Sequence, residues 1–236
     1  MKEFNNKISN LSNNSILSYR FFQPVYIFLF VNLFLISGCS NINKNEDINI
    51  CSTTKLPCID SNEYVLFITN KGNIKLELYG KLAPITVGNF IDFIEKGSYD
   101  KTIFNRVIKK PYPFIIRGGD NTSIGNQNKS IDTKIKDKRY IPLEIKLKTS
   151  NLPIYGKEID EPSQINNIEL KHKRSYLSMA RSKALNSASL QFYILLKSLP
   201  ELDGRYAVFG KVISGMNIVD LIQEEDFIIE AKRVES

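Results

Sequence analysis

The chain has 236 residues, room for one large domain or two small ones, and 42% of them are hydrophobic, enough for a packed core. Its formal charge is +7; Lys2, Lys7 and Arg20 against Glu3 put +2 in the first 38 residues and leave +5 on the rest. The remaining cations come singly or in short clusters such as Lys134–Arg139 and Lys171–Arg174, without the concentrated basic face of a nucleic-acid binder, so no nucleic-acid partner is expected.

Residues 1–38 read as an export address. A weakly basic stretch to Arg20 precedes Val25–Ile36, twelve residues whose apolar run is broken only by Asn32. That length suits the core of a signal peptide and falls short of the roughly 20 residues a spanning helix needs. Ile36-Ser-Gly-Cys39 resembles the bacterial lipobox, which implies lipidation of Cys39 and a membrane anchor made of several acyl chains. An ordinary signal peptide, or an anchor helix with an incidental cysteine, fits the same residues. Residues 39–60, rich in Asn, Ser, Asp and Lys, read as a flexible tether. Cys51 and Cys58 within it suit a small disulfide loop in an exported protein, and also suit two free thiols. No histidine accompanies them, so no metal site is expected.

A single domain is expected over 61–236. Tyr64–Thr69 and Ile74–Tyr79 read as strands joined by the Gly-containing loop Asn70–Asn73; Ile74, Leu76 and Leu78 alternate with Lys75 and Glu77. Pro84 opens a helical pattern with Val87, Phe90, Ile91 and Ile94 on one face and Gly97 at the cap position. Residues 121–174 form a long polar insertion, within which Arg139–Leu147 alternates and reads as an edge strand because Pro142 lacks a donor. His172, the only histidine, lies in a basic polar run and reads as exposed. Phe192–Leu196 and Ala207–Ile213, divided by a loop containing Asp203-Gly204, give a hairpin-rich β reading. Asn217 is placed to cap a short helix through Ile222, burying Ile218, Val219 and Ile222, and Phe227–Val234 reads as a closing strand.

Several ordered blocks then carry a resemblance. Tyr99–Ile108, Phe114–Asp120, Leu177-Ser-Met-Ala180, Gln191-Phe-Tyr193, Leu202-Asp-Gly204 and Val208-Phe-Gly210 are similar to the cyclophilin-type peptidyl-prolyl cis-trans isomerases. The resemblance covers roughly residues 61–236 and implies a mainly β fold, a closed eight-stranded antiparallel barrel capped by two helices. It implies rotation about X–Pro bonds, no cofactor, proline-containing polypeptide clients and a monomer. It makes Arg106 the catalytic residue, with substrate contacts at Phe114, Ile115, Arg117, Ala180, Arg181, Gln191, Tyr193, Leu202 and Tyr206.

The chemistry fits those residue types. The barrier of about 18–20 kcal/mol comes from amide resonance, so catalysis needs neither nucleophile nor metal. It needs an apolar slot for the pyrrolidine and a donor that favours the twisted amide over both planar forms. An arginine stays charged and can reach nitrogen and carbonyl with one fork.

Departures from the family pattern bear on turnover. Three extra residues lie within Lys109–Pro113, and Arg117 stands where relatives carry a glutamine. Two guanidinium charges 4 Å apart repel by about 4 kcal/mol at an effective dielectric of 20. Arg117 is therefore expected either to turn toward a carboxylate or to weaken the site. Tyr193 replaces a phenylalanine and adds a hydroxyl that must find a partner; Arg181 replaces an asparagine, and Glu201 a large aromatic. A module that binds proline segments with little turnover is the alternative. In either case an exported, membrane-tethered protein that meets other exported chains is expected.

Overall fold

The computed structural model describes residues 50–119 and 139–236. The signal segment, Cys39, Asp120 and the polar run 121–137 lie outside the described residues. A one-turn helix, α1 (Ile50–Thr53), carries Cys51, which is disulfide-bonded to Cys58. The described part of the tether, residues 50–60, is thus looped before the first strand and fastened to the domain. The Ile59 N–H donates to Pro84 O at 3.0 Å, and Leu56, Cys58 and Ile59 pack on the core.

Strands β1 (Asn62–Thr69) and β2 (Gly72–Tyr79) form the expected antiparallel hairpin, in register from Thr69↔Gly72 to Asn62↔Tyr79. Their alternation resolves as read, with Val65, Phe67, Ile74, Leu76 and Leu78 fully buried and Lys75 and Glu77 on the other face. Helix α2 (Pro84–Glu95) follows. Gly97 ends it at φ 65°, with Gly97 N–H donating to Ile94 O and Ser98 N–H to Phe93 O, a paired C-terminal closure that needs a left-handed residue. Its buried face drives Phe90 into an aromatic cluster with Phe67, Tyr99, Phe192 and Phe209, with Phe90 centroids 4.8 Å from Tyr99 and 5.0 Å from Phe209. Its N-terminus has no side-chain cap of its own. Glu144, 1% exposed, takes that part from a distant segment, accepting from the Ile85 and Thr86 N–H groups and from the Thr86 hydroxyl.

The remaining strands are β3 (Arg106–Val107), β4 (Ile115–Gly118), β5 (Glu144–Ile145), β6 (Ile154–Tyr155), β7 (Tyr176–Met179), β8 (Phe192–Leu195), β9 (Val208–Ser214) and β10 (Ile228–Val234). Eight of them make one antiparallel sheet in the order β10-β1-β2-β9-β7-β8-β4-β3, so the fold is mainly β as expected. The ladder curls into a barrel whose ends meet at a seam rather than in a continuous ladder. There Ile103 bridges Phe227, with Phe104 N–H donating to Asp226 O at 2.7 Å and Ile228 N–H to Thr102 O at 2.9 Å. The chain segments Phe192–Leu196 and Ala207–Ile213 do not pair with each other, because β7 lies between them.

Arg139–Leu147 is not one edge strand. Glu144–Ile145 pairs with β6 in a separate two-stranded ribbon, while Ile141 and Leu147 make single bridges to Ala188 and Ile168. This part of the insertion has its own core of Leu143, Ile145, Leu147, Ile159 and Ile168, which also takes in Ala207. The short helix α3 (Pro162–Asn166) sits within it. Near the C-terminus, α4 (Met216–Leu221) is entered through Gly215 at φ 85°, so Asn217 lies inside the helix and does not cap it. Val219 and Ile222 are buried as expected, while Ile218 is half-buried.

Candidate functional site

Antiparallel pairing places directly opposite residues on the same face of a sheet. Along β3-β4-β8-β7 one row runs Arg106–Arg117–Tyr193–Ser178, and the next joins Ile115 to Leu195. The alternate residues Ile116, Gly118, Phe192, Ile194, Leu177 and Met179 turn into the barrel. The outward face therefore carries both guanidinium side chains beside an apolar patch.

That patch is a distinct cluster of Ile115, Tyr193, Leu195 and Leu199, with Ile108, Phe114, Tyr176, Ala180, Leu202 and Tyr206 packed against it. It gathers six of the residues expected to hold substrate: Phe114, Ile115, Ala180, Tyr193, Leu202 and Tyr206. Tyr206 stands edge-on to Tyr193 with centroids 6.0 Å apart. Gln191 borders the group, its carbonyl accepting from the Ala180 N–H at 2.9 Å. Arg106 is exposed and unburdened by packing. Leu195 and Leu199 were missed from sequence; the two-residue period from Tyr193 identifies Leu195, whereas nothing local points to Leu199.

The extra residues of Lys109–Pro113 do not disturb the register. The Ile108 N–H donates to Ile115 O at 3.0 Å and the Phe114 N–H donates to Ile108 O at 2.9 Å, which closes the insertion as a loop. Pro111, Tyr112 and Pro113 stand exposed at its tip, and Arg106 faces Arg117 across the pair. Arg117 turns its Nε to Asn105 Oδ1 at 3.1 Å. That partner is a neutral amide beside Arg106, so it orients the guanidinium without neutralising it.

His172 corrects the sequence reading. It is 2% exposed, beneath the patch, and held by three elements. Asp203 Oδ1 accepts from the His172 backbone N–H at 2.7 Å and lies 2.9 Å from Nδ1; Nε2 lies 3.2 Å from the Tyr193 hydroxyl and 3.3 Å from Ser178 Oγ. A carboxylate only accepts, so Nδ1 carries a proton. Ser178 Oγ donates to Ala207 O at 2.9 Å, and Nε2 faces two hydroxyl oxygens, with that of Tyr193 the nearer. Burial pushes the Tyr193 phenol well above its ordinary value, so the hydroxyl keeps its proton. The added hydroxyl thus has its partner.

Arg181 has a side chain only 7% exposed. Its Nε and Nη2 donate to Arg205 O at 3.0 and 2.8 Å, Nη1 donates to Ser182 O at 3.0 Å, and Nη2 pairs with Glu158. The guanidinium carbon lies 4.8 Å from the Tyr206 ring centroid. It fastens the loop after β7 to the turn that carries Leu202 and Tyr206. Glu201 is exposed on that same turn.

The profile of one family, described as cyclophilin type peptidyl-prolyl cis-trans isomerase/CLD, matches residues 64–235. A peptidyl-prolyl cis-trans isomerase-like 2 of Rhizopus delemar is 38% identical over 167 residues, 70% of this chain but 26% of that one, so the chain spans about a quarter of that relative. Peptidyl-prolyl cis-trans isomerase A of Dickeya dadantii is 34% identical over 169 residues, 70% of this chain and 73% of that one. Among solved structures, a cyclophilin type peptidyl-prolyl cis-trans isomerase of Cryptosporidium parvum aligns with a TM-score of 0.54 at 29% identity, covering 75% of this chain and 99% of its own.

Proposed function

The chain belongs to the cyclophilin-type peptidyl-prolyl cis-trans isomerases, and from that membership we propose that it rotates X–Pro bonds of exported polypeptides at the outward face of β3-β4-β8-β7. The observation that carries this reading is the juxtaposition of a walled apolar patch with Arg106 on the adjoining strand. In this reading Ile115, Tyr193, Leu195 and Leu202 hold the pyrrolidine, with Phe114, Ala180 and Tyr206 at the margins. Gln191 and the backbone after β7 bind the client chain. Arg106 donates to the prolyl nitrogen as it becomes pyramidal, an interaction that neither planar amide offers. No cofactor takes part, and the protein works as a monomer.

The test is isomerisation of a Xaa-Pro peptide. Arg106→Ala should lower kcat/KM by about 100-fold, the scale of losing one transition-state donor, with peptide affinity changed far less. A wild-type rate no greater than that of Arg106→Ala overturns the reading. The protein is then a proline-segment binding module, a second reading favoured by Arg117 standing opposite Arg106 with no carboxylate paired to it among the described residues.

Export and anchoring complete the proposal. The apolar run Val25–Ile36 and Ile36-Ser-Gly-Cys39 support removal of residues 1–38 and lipidation of Cys39. The Cys51–Cys58 disulfide suits an oxidising compartment. A mass spectrum of the mature N-terminus should show acylated Cys39; an unmodified Cys39 or an intact residue 1 refutes the anchor.

A further inference from the structure

An open hollow of about 500 Å³ adjoins the proline site, lined by Glu158, Arg181, Ser182, Lys183, Leu202, Arg205 and Tyr206. Leu202 and Tyr206 also belong to the apolar cluster, so the hollow and the proline site share a wall. Consecutive Cα atoms are 3.8 Å apart, so a residue next to a bound proline has its side chain within reach of that wall.

The charge of the hollow is one-sided. Three cationic side chains face one carboxylate, leaving a net +2. Glu158 is taken by Arg181, which is itself fixed by the backbone carbonyls of Ser182 and Arg205. Lys183 and Arg205 are exposed, and among the described residues neither forms an ion pair. Glu201, although on the neighbouring turn, does not line the hollow.

We propose that this hollow is a subsite for an acidic side chain beside the client's proline, with Lys183 and Arg205 as the specificity-determining residues on a floor held by Arg181. The proposal rests on the isomerase reading for the location of the proline and adds to it a substrate class, X–Pro segments flanked by Asp or Glu. Two exposed ion pairs are worth on the order of a tenfold preference, and salt should erode it.

The experiment compares peptides that differ only in the residue flanking proline, Glu, Gln or Lys, placed on either side, reading both Kd and kcat/KM on the mature protein. At low salt the Glu peptide should bind about tenfold tighter than the Lys peptide on one side of the proline, with Gln between, and the spread should shrink at about 0.3 M salt. Lys183→Glu with Arg205→Glu should invert the order; both positions are exposed, and a melting curve checks that the fold is kept. Equal affinities for Glu and Lys peptides on both sides overturn the subsite. Affinity is read without turnover, so a protein that discriminates but does not isomerise sinks only the isomerase reading.

Discussion

The Tyr193 hydroxyl joins the wall of the proposed proline site to a buried network, and its loss separates the two. Tyr193→Phe keeps the ring and removes the hydroxyl that meets His172 Nε2. Stability should fall by about 1 kcal/mol in denaturant unfolding, while kcat/KM stays within a few-fold of wild type. A loss of turnover as large as that of Arg106→Ala would mean that the hydroxyl acts in the reaction. At Gly204 the constraint is steric: φ is 80°, and an added Cβ would stand 2.0 Å from Ile159 O. Gly204→Ala should therefore destabilise the turn that carries Leu202 and Tyr206, by about 1–3 kcal/mol in the same measurement. The need for a partner at Tyr193 was legible from the substitution itself. The burial of His172 was not, because Lys171, Lys173 and Arg174 make its neighbourhood look solvated while Asp203 and Tyr193 reach it across the fold.

Among elements, the seam depends on Asp226. Its backbone carbonyl accepts from the Phe104 N–H, while its side chain, 10% exposed, accepts from Asn70 Nδ2 and the Gln223 N–H at 2.7 Å and lies 3.4 Å from Lys71 Nζ. Burial alone would raise the Asp226 pKa, but the bonds from Asn70, Gln223 and Lys71 outweigh it and hold the carboxyl below its ordinary 3.8. A folded-state value below the unfolded one gives stability that is present above 3.8 and lost as pH falls through the folded value. Asp226→Asn should cost about 1–2 kcal/mol at neutral pH and flatten the loss of stability on acidification. An unchanged acid limb in the variant would show that other carboxylates govern it. Strands with strict alternation, β1 and β2, were read nearly to their ends, and so was the Gly-terminated helix α2. Sheet order was not legible, since β7 separates two segments that a local pattern pairs with each other. Nor was the role of Glu144, which caps a helix that lies 58 residues away from it in sequence.

In the whole molecule, the disulfide fixes where the tether ends and the barrel begins. Cys58 packs so closely on α2 that a Cβ at Gly88 would stand 2.4 Å from the Cys58 nitrogen. Replacing Cys51 and Cys58 by Ser should make the segment around 50–58 sensitive to limited proteolysis and leave the barrel resistant, because few core contacts come from α1. Cleavage of the barrel at the same rate as the segment would contradict this division. The two-residue strand β3 lies at one end of the ladder, paired with β4 on one side and met on the other, among the described residues, by the Glu224 carboxylate at the Val107 N–H. Arg106 therefore rides a short terminal rung of the sheet. In the proposed reaction, breathing there would tilt the guanidinium as a client's amide swings, while β2 and β9 are each paired on both sides. Deuterium should enter Val107 and Ile108 long before it enters Leu76 and Leu78.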